Sequence, residues 1–191
     1  RRSSRGDEPF VMVSCGALSS SLMQAELFGF EKGAFAGAYR SKEGSIESAA
    51  GGILFLDEVA DLPTDLQAPL LQFLREKVVR RVGGTKDIPV DVRVMASTNA
   101  DLEQAVADGI FSRELFEALS PITLTVPPLR ERKDDIELLA KYYLDLFVNE
   151  KYRHISGFTP DAVGAMQRYE WPGNIRELIN RVRRAMVMCE D

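Results

Sequence analysis

The sequence is poor in the residues that build disulfide frameworks and zinc sites. Of its 191 residues only two are cysteine, Cys15 and Cys189 near opposite ends, and one is histidine, His154. A disulfide-stapled fold and a structural zinc site are therefore disfavoured, and a reduced cytosolic chain is the simplest interpretation. His154 lies in a polar stretch, and we expect it on the surface.

Long apolar runs and an excess of basic charge are also missing. No stretch approaches the roughly 20 apolar residues that span a bilayer, and no signal peptide is visible. The formal charge is −5, so whole-chain electrostatics does not indicate a nucleic-acid surface. A length of 191 residues suits one domain or a domain with a small satellite, and a hydrophobic content of 45% supports a real core.

The most informative stretch runs from Gly51 to Glu58: two glycines, four large apolar residues and two adjacent carboxylates. The apolar run predicts a strand buried on both faces of a parallel sheet. Asp57 and Glu58 then fall at its carboxyl end, where open α/β sheets place their ligands. One acid can hold Mg²⁺, directly or through water, and the next can orient an attacking water. The alternative is a strand that ends in a solvated acidic turn.

Further strands and helices surround this stretch. Residues 10–13, 90–96 and 122–126 are strand candidates, the second ending in the polar tip Ser97-Thr98-Asn99 and the third closed by two prolines. Helical patterns lie between them, including one from Leu102 to Leu119 that is interrupted near Gly109. Strands that alternate with helices predict an α/β layer fold.

The pattern changes after Pro128, because no strand candidate follows Val126. A clean helical stripe covers residues 134–150, Thr159-Pro160 begins a second helix, and Asn174 with Glu177 has the form of a capping box for a third. We therefore predict an α/β core over residues 1–128 and a helical subdomain over residues 129–191.

A loop of small residues around one aromatic residue has two interpretations. The segment Gly33-Ala34-Phe35-Ala36-Gly37-Ala38 has neither a strand nor a helix period. It is either a tight loop whose Phe35 tucks into the core, or a mobile loop that presents Phe35 to a partner between hinge glycines.

Six ordered motifs together resemble the central AAA+ ATPase domain of sigma-54-dependent bacterial transcription activators, over about Phe10 to Met188. Single motifs of this kind are often accidental, but six in order are specific. They are Glu26-Leu27-Phe28-Gly29 before Glu31-Lys32-Gly33-Ala34-Phe35, Gly51-Gly52 before Asp57-Glu58, Arg81-Val82-Gly83, Ala96-Ser97-Thr98-Asn99, Pro128-Leu129-Arg130-Glu131-Arg132, and Trp171-Pro172-Gly173-Asn174-Ile175-Arg176-Glu177-Leu178.

The resemblance implies a P-loop-type parallel sheet sandwiched by helices, without its first strand and P-loop, followed by a helical lid. It implies ATP and Mg²⁺ as cofactors, a hexameric or heptameric ring in the bacterial cytoplasm, and no membrane. DNA would be bound only through a separate domain. Asp57 and Glu58 match the Walker B acids, with Asp57 serving the metal. Thr98 and Asn99 match sensor I, and Arg176 matches sensor II. Residues 33–38 match the loop that engages the sigma factor of RNA polymerase holoenzyme.

Several positions depart from the pattern of this family. No Gly-x-x-x-x-Gly-Lys-Ser/Thr motif is present, so either the chain is a fragment cut beyond the P-loop, which we favour, or the parent protein lacks one. In both cases we expect these 191 residues to bind ATP poorly alone. Ala36 stands where the family usually has threonine, and Ser14 stands where it usually has asparagine. Ser112 and Ala118 occupy common arginine-finger positions, which leaves Arg113, one residue out of register, as the nearest candidate finger.

Two functions remain open from the sequence. The first is an ATP-dependent module that remodels the sigma-54 holoenzyme, with ATP hydrolysis expected of the intact parent protein. The second is a degenerate AAA+ scaffold that oligomerises and regulates transcription without such remodelling. The departures at Ala36, Ser112 and Ala118 motivate the second.

Overall fold

The structure is a computed structural model that describes residues 4–151 and 155–189; of residues 149–151 only the backbone is described. His154 lies outside the described residues. The chain divides into two compact units, residues 1–123 and 124–191. Within the described part, no helix is both long and apolar enough to cross a membrane.

Unit 1 is a mixed α/β unit. In chain order its elements are β1 (Phe10–Ser14), α1 (Ser20–Phe28), β2 (Gly29–Phe30), β3 (Lys42–Glu43), α2 (Ser45–Ser48), β4 (Ile53–Asp57), a 3₁₀ turn (Val59–Asp61), α3 (Thr64–Glu76), β5 (Val78–Val79), β6 (Ile88–Pro89), β7 (Arg93–Ala96), α4 (Leu102–Ala107) and α5 (Arg113–Leu119).

A three-stranded parallel sheet forms the centre of unit 1. Its order is β1-β4-β7, with β4 in the middle. Alternate side chains point to opposite faces, and Val13, Leu54 and Leu56 are buried against the helices on one face. The predicted parallel sheet with flanking helices is therefore confirmed.

The opposite face of the sheet is less covered than the apolar run of β4 predicts. Ile53 and Phe55 are only half-buried, and their neighbours Phe10 and Met12 on β1 are exposed. Phe10 and Phe55 stack with ring centroids 6.0 Å apart. The prediction that β4 is buried on both faces is thus wrong for the described residues. The helices of unit 1 pack on the face that carries Leu54 and Leu56, and they leave the face with Ile53 and Phe55 partly open.

The predicted strand over residues 122–126 is wrong. These residues form no strand, and the apolar side chains Ile122, Leu124 and Val126 are exposed. A strand needs a neighbour to pair its backbone groups, and no described strand pairs with this segment. The helical pattern from Leu102 to Leu119 is confirmed as two helices, α4 and α5, interrupted around Gly109.

In the described residues of unit 2, every element of regular secondary structure is a helix or a helical turn. The unit contains a 3₁₀ turn (Leu129–Glu131), α6 (Lys133–Lys151), α7 (Pro160–Arg168) and α8 (Asn174–Met188). Thr159 caps α7 as predicted, its Oγ1 accepting from Ala162 N at 3.3 Å. The helices bury one core, formed by Leu129, Ile136, Ala140, Leu144, Trp171, Leu178, Val182 and Met186.

The capping box at α8 is only half realised. Glu177 Oε2 accepts from Gly173 N at 3.0 Å, as the acid of a capping box would. Asn174, however, has a positive φ of 50° and its Oδ1 accepts from Leu129 N at 2.8 Å. The prediction that Asn174 caps the helix is therefore wrong: its side chain fastens the 3₁₀ turn to α8 instead.

Gly52 provides a test of the strand pairing in unit 1. A Cβ at this position would lie 1.9 Å from Pro9 O, the atom that accepts from Ile53 N at 2.8 Å. Gly52→Ala must push β1 away from β4, and we expect it to lower the free energy of unfolding by about 3 kcal/mol in urea titrations.

Gly164 in α7 is the matched control, because its Cβ would meet only the flexible end of Arg168 at 3.3 Å. Gly164→Ala is expected to be neutral or to stabilise by up to about 1 kcal/mol. Equal effects of the two substitutions would contradict this account of the β1-β4 pairing.

Candidate functional site

Polar side chains from two neighbouring strands meet at the carboxyl edge of the parallel sheet. Asp57 is the last residue of β4, in register with Ser14 at the end of β1, and Leu56 pairs with Ala96 at the end of β7. Because the strands are parallel, the residues that follow them emerge at the same edge. The structure therefore brings Asp57 and Glu58 together with the segment Ser97-Thr98-Asn99.

Asp57 is half-buried and held by a hydroxyl group. Ser97 Oγ donates to Asp57 Oδ1 at 2.6 Å, and the backbone oxygen of Asp57 accepts from Cys15 N at 2.9 Å. The sequence alone indicates no role for Ser97 at this site. The signal that points to it is its position directly after β7, within the polar tip.

Glu58 is held by Asn99 through both carboxylate oxygens. Asn99 Nδ2 donates to Oε1 and Asn99 N donates to Oε2, each at 3.2 Å. Glu58 itself adopts a left-handed backbone conformation, with φ 55° and ψ 55°. Such a conformation is costly for a residue other than glycine and is common at functional sites. Ser14, which stands where the family usually has asparagine, is exposed, and Asn99 holds Glu58.

The side chain of Thr98 forms a hydrogen bond within its own turn. Its Oγ1 accepts from Ala100 N at 3.0 Å, a local bond that shapes the segment after β7. Of the pair Thr98 and Asn99, it is Asn99 that contacts an acid in the described structure.

The acidic turn fits a magnesium ion that is shared with a phosphate ligand. Asp57 Oδ1 is used by Ser97, which leaves Oδ2 on the same carboxylate as the candidate ligand atom. Mg²⁺ in phosphate-transfer sites takes one or two carboxylates, several waters and substrate oxygens. Among the described residues no cluster of three or more His, Cys, Asp or Glu side chains could hold a metal on its own. The donor set therefore suits a metal that a phosphate helps to bind.

Cys15 is buried next to Asp57. Burial raises the pKa of its thiol to about 11, and the neighbouring carboxylates of Asp57 and Asp61 add to the shift. The thiol is therefore protonated at neutral pH and adds no negative charge next to the acids.

Arg113 begins α5 and is exposed. The residue before it, Ser112, caps this helix: its Oγ accepts from Leu115 N at 3.3 Å and donates to Glu114 Oε2 at 3.0 Å. Gln67, which is buried, fixes this corner by accepting from Ser112 N at 2.8 Å. Serine at position 112 thus has a structural role in this chain.

Arg176 lies in the first turn of α8, as the sequence predicts, and is exposed. It belongs to unit 2, whereas the acids and Asn99 belong to unit 1. Its role stays a prediction.

The loop from Gly33 to Ala38 is closed by its own backbone. Gly33 N donates to Ala38 O at 2.8 Å, and Ala38 N donates to Phe35 O at 3.0 Å. Both glycines have positive φ, 85° and 104°, in open space. Phe35 is 44% exposed, with its ring centroid 4.9 Å from that of Phe30. Phe35 therefore leans on the base of the loop without entering the core.

Comparison with known proteins assigns the chain to a family. Residues 1–125 match the sigma-54 interaction domain, and residues 130–191 match the AAA+ ATPase lid domain. The chain belongs to the sigma-54 interaction domain family.

Curated members of the sigma-54 interaction domain family include close relatives of this chain. The response regulator protein PilR of Pseudomonas aeruginosa is 46% identical over 98% of this chain and 42% of its own length. The regulatory protein AtoC of Escherichia coli is 47% identical over 97% of this chain and 40% of its own length. The chain thus spans less than half the length of these two regulatory proteins.

Solved structures show the same fold in a relative. NtrX from Brucella abortus has a TM-score of 0.89 and 39% identity over 97% of this chain and 42% of the NtrX chain. The structure of NtrX in complex with ATP has a TM-score of 0.87.

In this sigma-54 interaction domain, an arginine clamp fastens the base of the Gly33–Ala38 loop. Arg81 makes a bidentate bond to Glu47, with both distances 2.8 Å, and its Nη1 donates to Glu31 Oε1 at 3.2 Å. Backbone bonds between Glu31 and Val82 and between Val82 and Gly29 run beside it. The side chains of Arg81 and Glu47 are only 18% and 9% exposed. The pKa of Arg81 is raised, chiefly by its bond to Glu47, so the clamp stays charged.

Two adjacent arginines allow a matched test of this clamp. Arg81→Ala leaves the carboxylate of Glu47 buried without its partner, and we expect a loss of about 3 kcal/mol in the free energy of unfolding. Arg80 pairs with Asp87 on the surface, where the two side chains are 61% and 55% exposed. Arg80→Ala is therefore expected to lower the free energy of unfolding far less than Arg81→Ala. Chemical denaturation decides, and similar losses would refute a structural role of the clamp.

Proposed function

We propose that this chain is the ATPase module of a bacterial transcription regulator that works in the cytoplasm and remodels the sigma-54 RNA polymerase holoenzyme. Membership of the sigma-54 interaction domain family, relatives that are named as regulators, and the structures of NtrX with ATP and with ADP support it. The single observation that carries the proposal is the acidic turn at the carboxyl edge of the sheet, with Glu58 held by Asn99.

The chemistry follows from what each side chain can do at this edge. Mg²⁺ at Asp57 would neutralise phosphate charge and hold the triphosphate in place. Glu58 is proposed to orient and polarise the attacking water, and release of one of its two bonds to Asn99 would open a carboxylate oxygen more fully to that water. Asn99, once released, can donate its amide protons to a phosphate oxygen. Asn99 would thus exchange one anionic partner for another when nucleotide is present.

The remaining predicted residues complete the proposal. Arg176 on α8 would carry the response of the lid to nucleotide, since a planar guanidinium suits phosphate. Arg113 is proposed as the finger that reaches a neighbouring subunit in a hexameric or heptameric ring. Thr98 supports the turn that carries Asn99.

For the domain organisation, we propose residues 1–128 as the α/β core and residues 129–191 as the helical lid. No P-loop motif is present in these 191 residues, so the nucleotide experiments below use the full-length gene product that contains this chain.

Residues 33–38 are proposed to contact the sigma factor. The tip has open space around both glycines, and Phe35 keeps nearly half of its surface for a partner. Ala36 offers only a methyl group, so the aromatic ring has to supply most of the binding energy.

A second candidate is a degenerate AAA+ scaffold that regulates transcription without remodelling. Ser112 favours it, because this position carries a helix cap where an arginine finger would be needed. Ala118 is exposed and has no functional group.

Glu58→Gln separates hydrolysis from binding. The amide keeps the shape of the side chain but cannot accept a proton, so we expect ATP hydrolysis by the full-length gene product to fall at least about 100-fold. ATP affinity should stay within about threefold. Glu76→Gln at the end of α3 is the control. Normal promoter activation in Glu58→Gln cells would support the scaffold, and unchanged hydrolysis would remove Glu58 from the mechanism.

Phe35→Ala tests the partner loop. We expect at least a 10-fold loss of sigma-54 binding, measured with the full-length gene product and a transition-state analogue of ATP, because exposed aromatic anchors dominate interfaces. Tyr142→Ala, another exposed aromatic residue on α6, should bind normally. If the unsubstituted protein never binds sigma-54 under these conditions, the remodelling function is wrong.

A further inference from the structure

The backbone N–H, the carbonyl oxygen and the hydroxyl of Ser97 all form hydrogen bonds to the four consecutive residues 56–59. Its N–H donates to Leu56 O, and its carbonyl oxygen accepts from Val59 N, both at 2.9 Å. Its hydroxyl donates to Asp57 Oδ1 at 2.6 Å and accepts from Glu58 N at 3.3 Å. An alanine at position 97 would keep the two main-chain bonds and lose only the two bonds of the hydroxyl.

The bond to Asp57 restricts the direction of the carboxylate. A distance of 2.6 Å is typical of a hydroxyl that donates to an ionised carboxylate, which is one of the stronger kinds of hydrogen bond. The carboxyl group of an aspartate otherwise turns readily about its last side-chain bond. With Oδ1 held by Ser97, Oδ2 has one preferred direction.

The bond from Glu58 supports the unusual backbone of the turn. Glu58 is in the left-handed region, where a residue with a Cβ is strained. Its N–H finds its acceptor in Ser97 Oγ, and Asn99 holds its side chain from the same segment. One hydroxyl oxygen therefore links the orientation of both acids.

We propose that Ser97 is a positioning residue that sets the geometry of the metal-binding acid. It does not itself ligate the metal; it holds Asp57 Oδ2 in the direction needed for Mg²⁺. This inference rests on the proposed function, because it takes Asp57 to serve a metal that is bound together with nucleotide.

The two common divalent cations respond differently to a misdirected ligand. Mg²⁺ demands near-ideal octahedral geometry, whereas Ca²⁺ accepts variable coordination. Loss of the hydroxyl should therefore weaken the binding of Mg²⁺ much more than the binding of Ca²⁺. A general loss of protein stability would weaken the binding of both cations alike.

The experiment measures ADP binding by the full-length gene product as the concentration of the cation is increased. Binding is measured by calorimetry, so no turnover is needed. For Ser97→Ala we expect the half-saturating Mg²⁺ concentration to rise about 10-fold, the usual effect of removing a group that orients a metal ligand. The corresponding Ca²⁺ concentration should change by less than about twofold. Ser97→Thr keeps the hydroxyl and should stay within about twofold of the unsubstituted protein for both cations.

The outcomes separate this inference from the proposed function. Equal Mg²⁺ requirements in Ser97→Ala and the unsubstituted protein overturn the positioning role and leave the proposed function intact. An equal rise for Mg²⁺ and Ca²⁺, or a Ser97→Thr protein as defective as Ser97→Ala, also overturns it, because the hydroxyl would then have only a structural role. If the unsubstituted protein binds ADP without any dependence on cations, the metal role of Asp57 fails and the inference falls with it.

Discussion

The site depends on the parallel pairing of β4 with β7. This pairing places the residue after β7 beside the residues that end and follow β4, so that a serine hydroxyl and an asparagine amide contact two adjacent carboxylates. A shift of the pairing by one residue would turn the alternate side chains to the opposite face of the sheet. The buried Leu54 and Leu56 oppose such a shift, because it would move them out of the core. The hydrophobic pattern of β4 thus fixes the position of the acids.

The charge of the acidic turn is left for a ligand to balance. In the described structure the side-chain bonds of Asp57 and Glu58 come from neutral groups, the hydroxyl of Ser97 and the amides of Asn99. Neutral donors orient a carboxylate without cancelling its charge. The neighbouring Cys15 thiol stays protonated because its pKa is raised. A cation that arrives with a phosphate would meet two oriented negative charges, which agrees with the usual Mg²⁺ site of one or two carboxylates shared with substrate phosphates.

Much of this arrangement could be predicted from the sequence, and the failures have physical reasons. The apolar run before Asp57 predicts β4, and the polar tip after residue 96 predicts that Asn99 lies near the acids. Strand propensity at Ile122–Val126 failed, because a strand exists only where a neighbour pairs with it. The role of Ser97 could not be seen, since a small polar residue has no periodicity and its four bonds reach residues about 40 positions away. The sequence pattern predicts that Asn174 caps the nearest helix end. In the structure its side chain accepts instead from Leu129 N, which lies far away in sequence.

The candidate partner loop combines a rigid base with a tip that can move. Arg81 ties Glu31 and Glu47 together, and Ala34 lies so close to Gly83 that a Cβ there would be 2.8 Å from the Ala34 Cβ. Gly33 and Gly37, by contrast, have no neighbouring atoms within 4 Å of the position of a Cβ. A change of loop conformation between these two glycines would break the contact of Phe35 with Phe30 and the two backbone hydrogen bonds that close the loop, Gly33 N to Ala38 O and Ala38 N to Phe35 O. Because Phe35 is already 44% exposed, breaking these interactions costs less than rupture of the buried Arg81 clamp. We therefore expect motion to be confined to the tip of the loop.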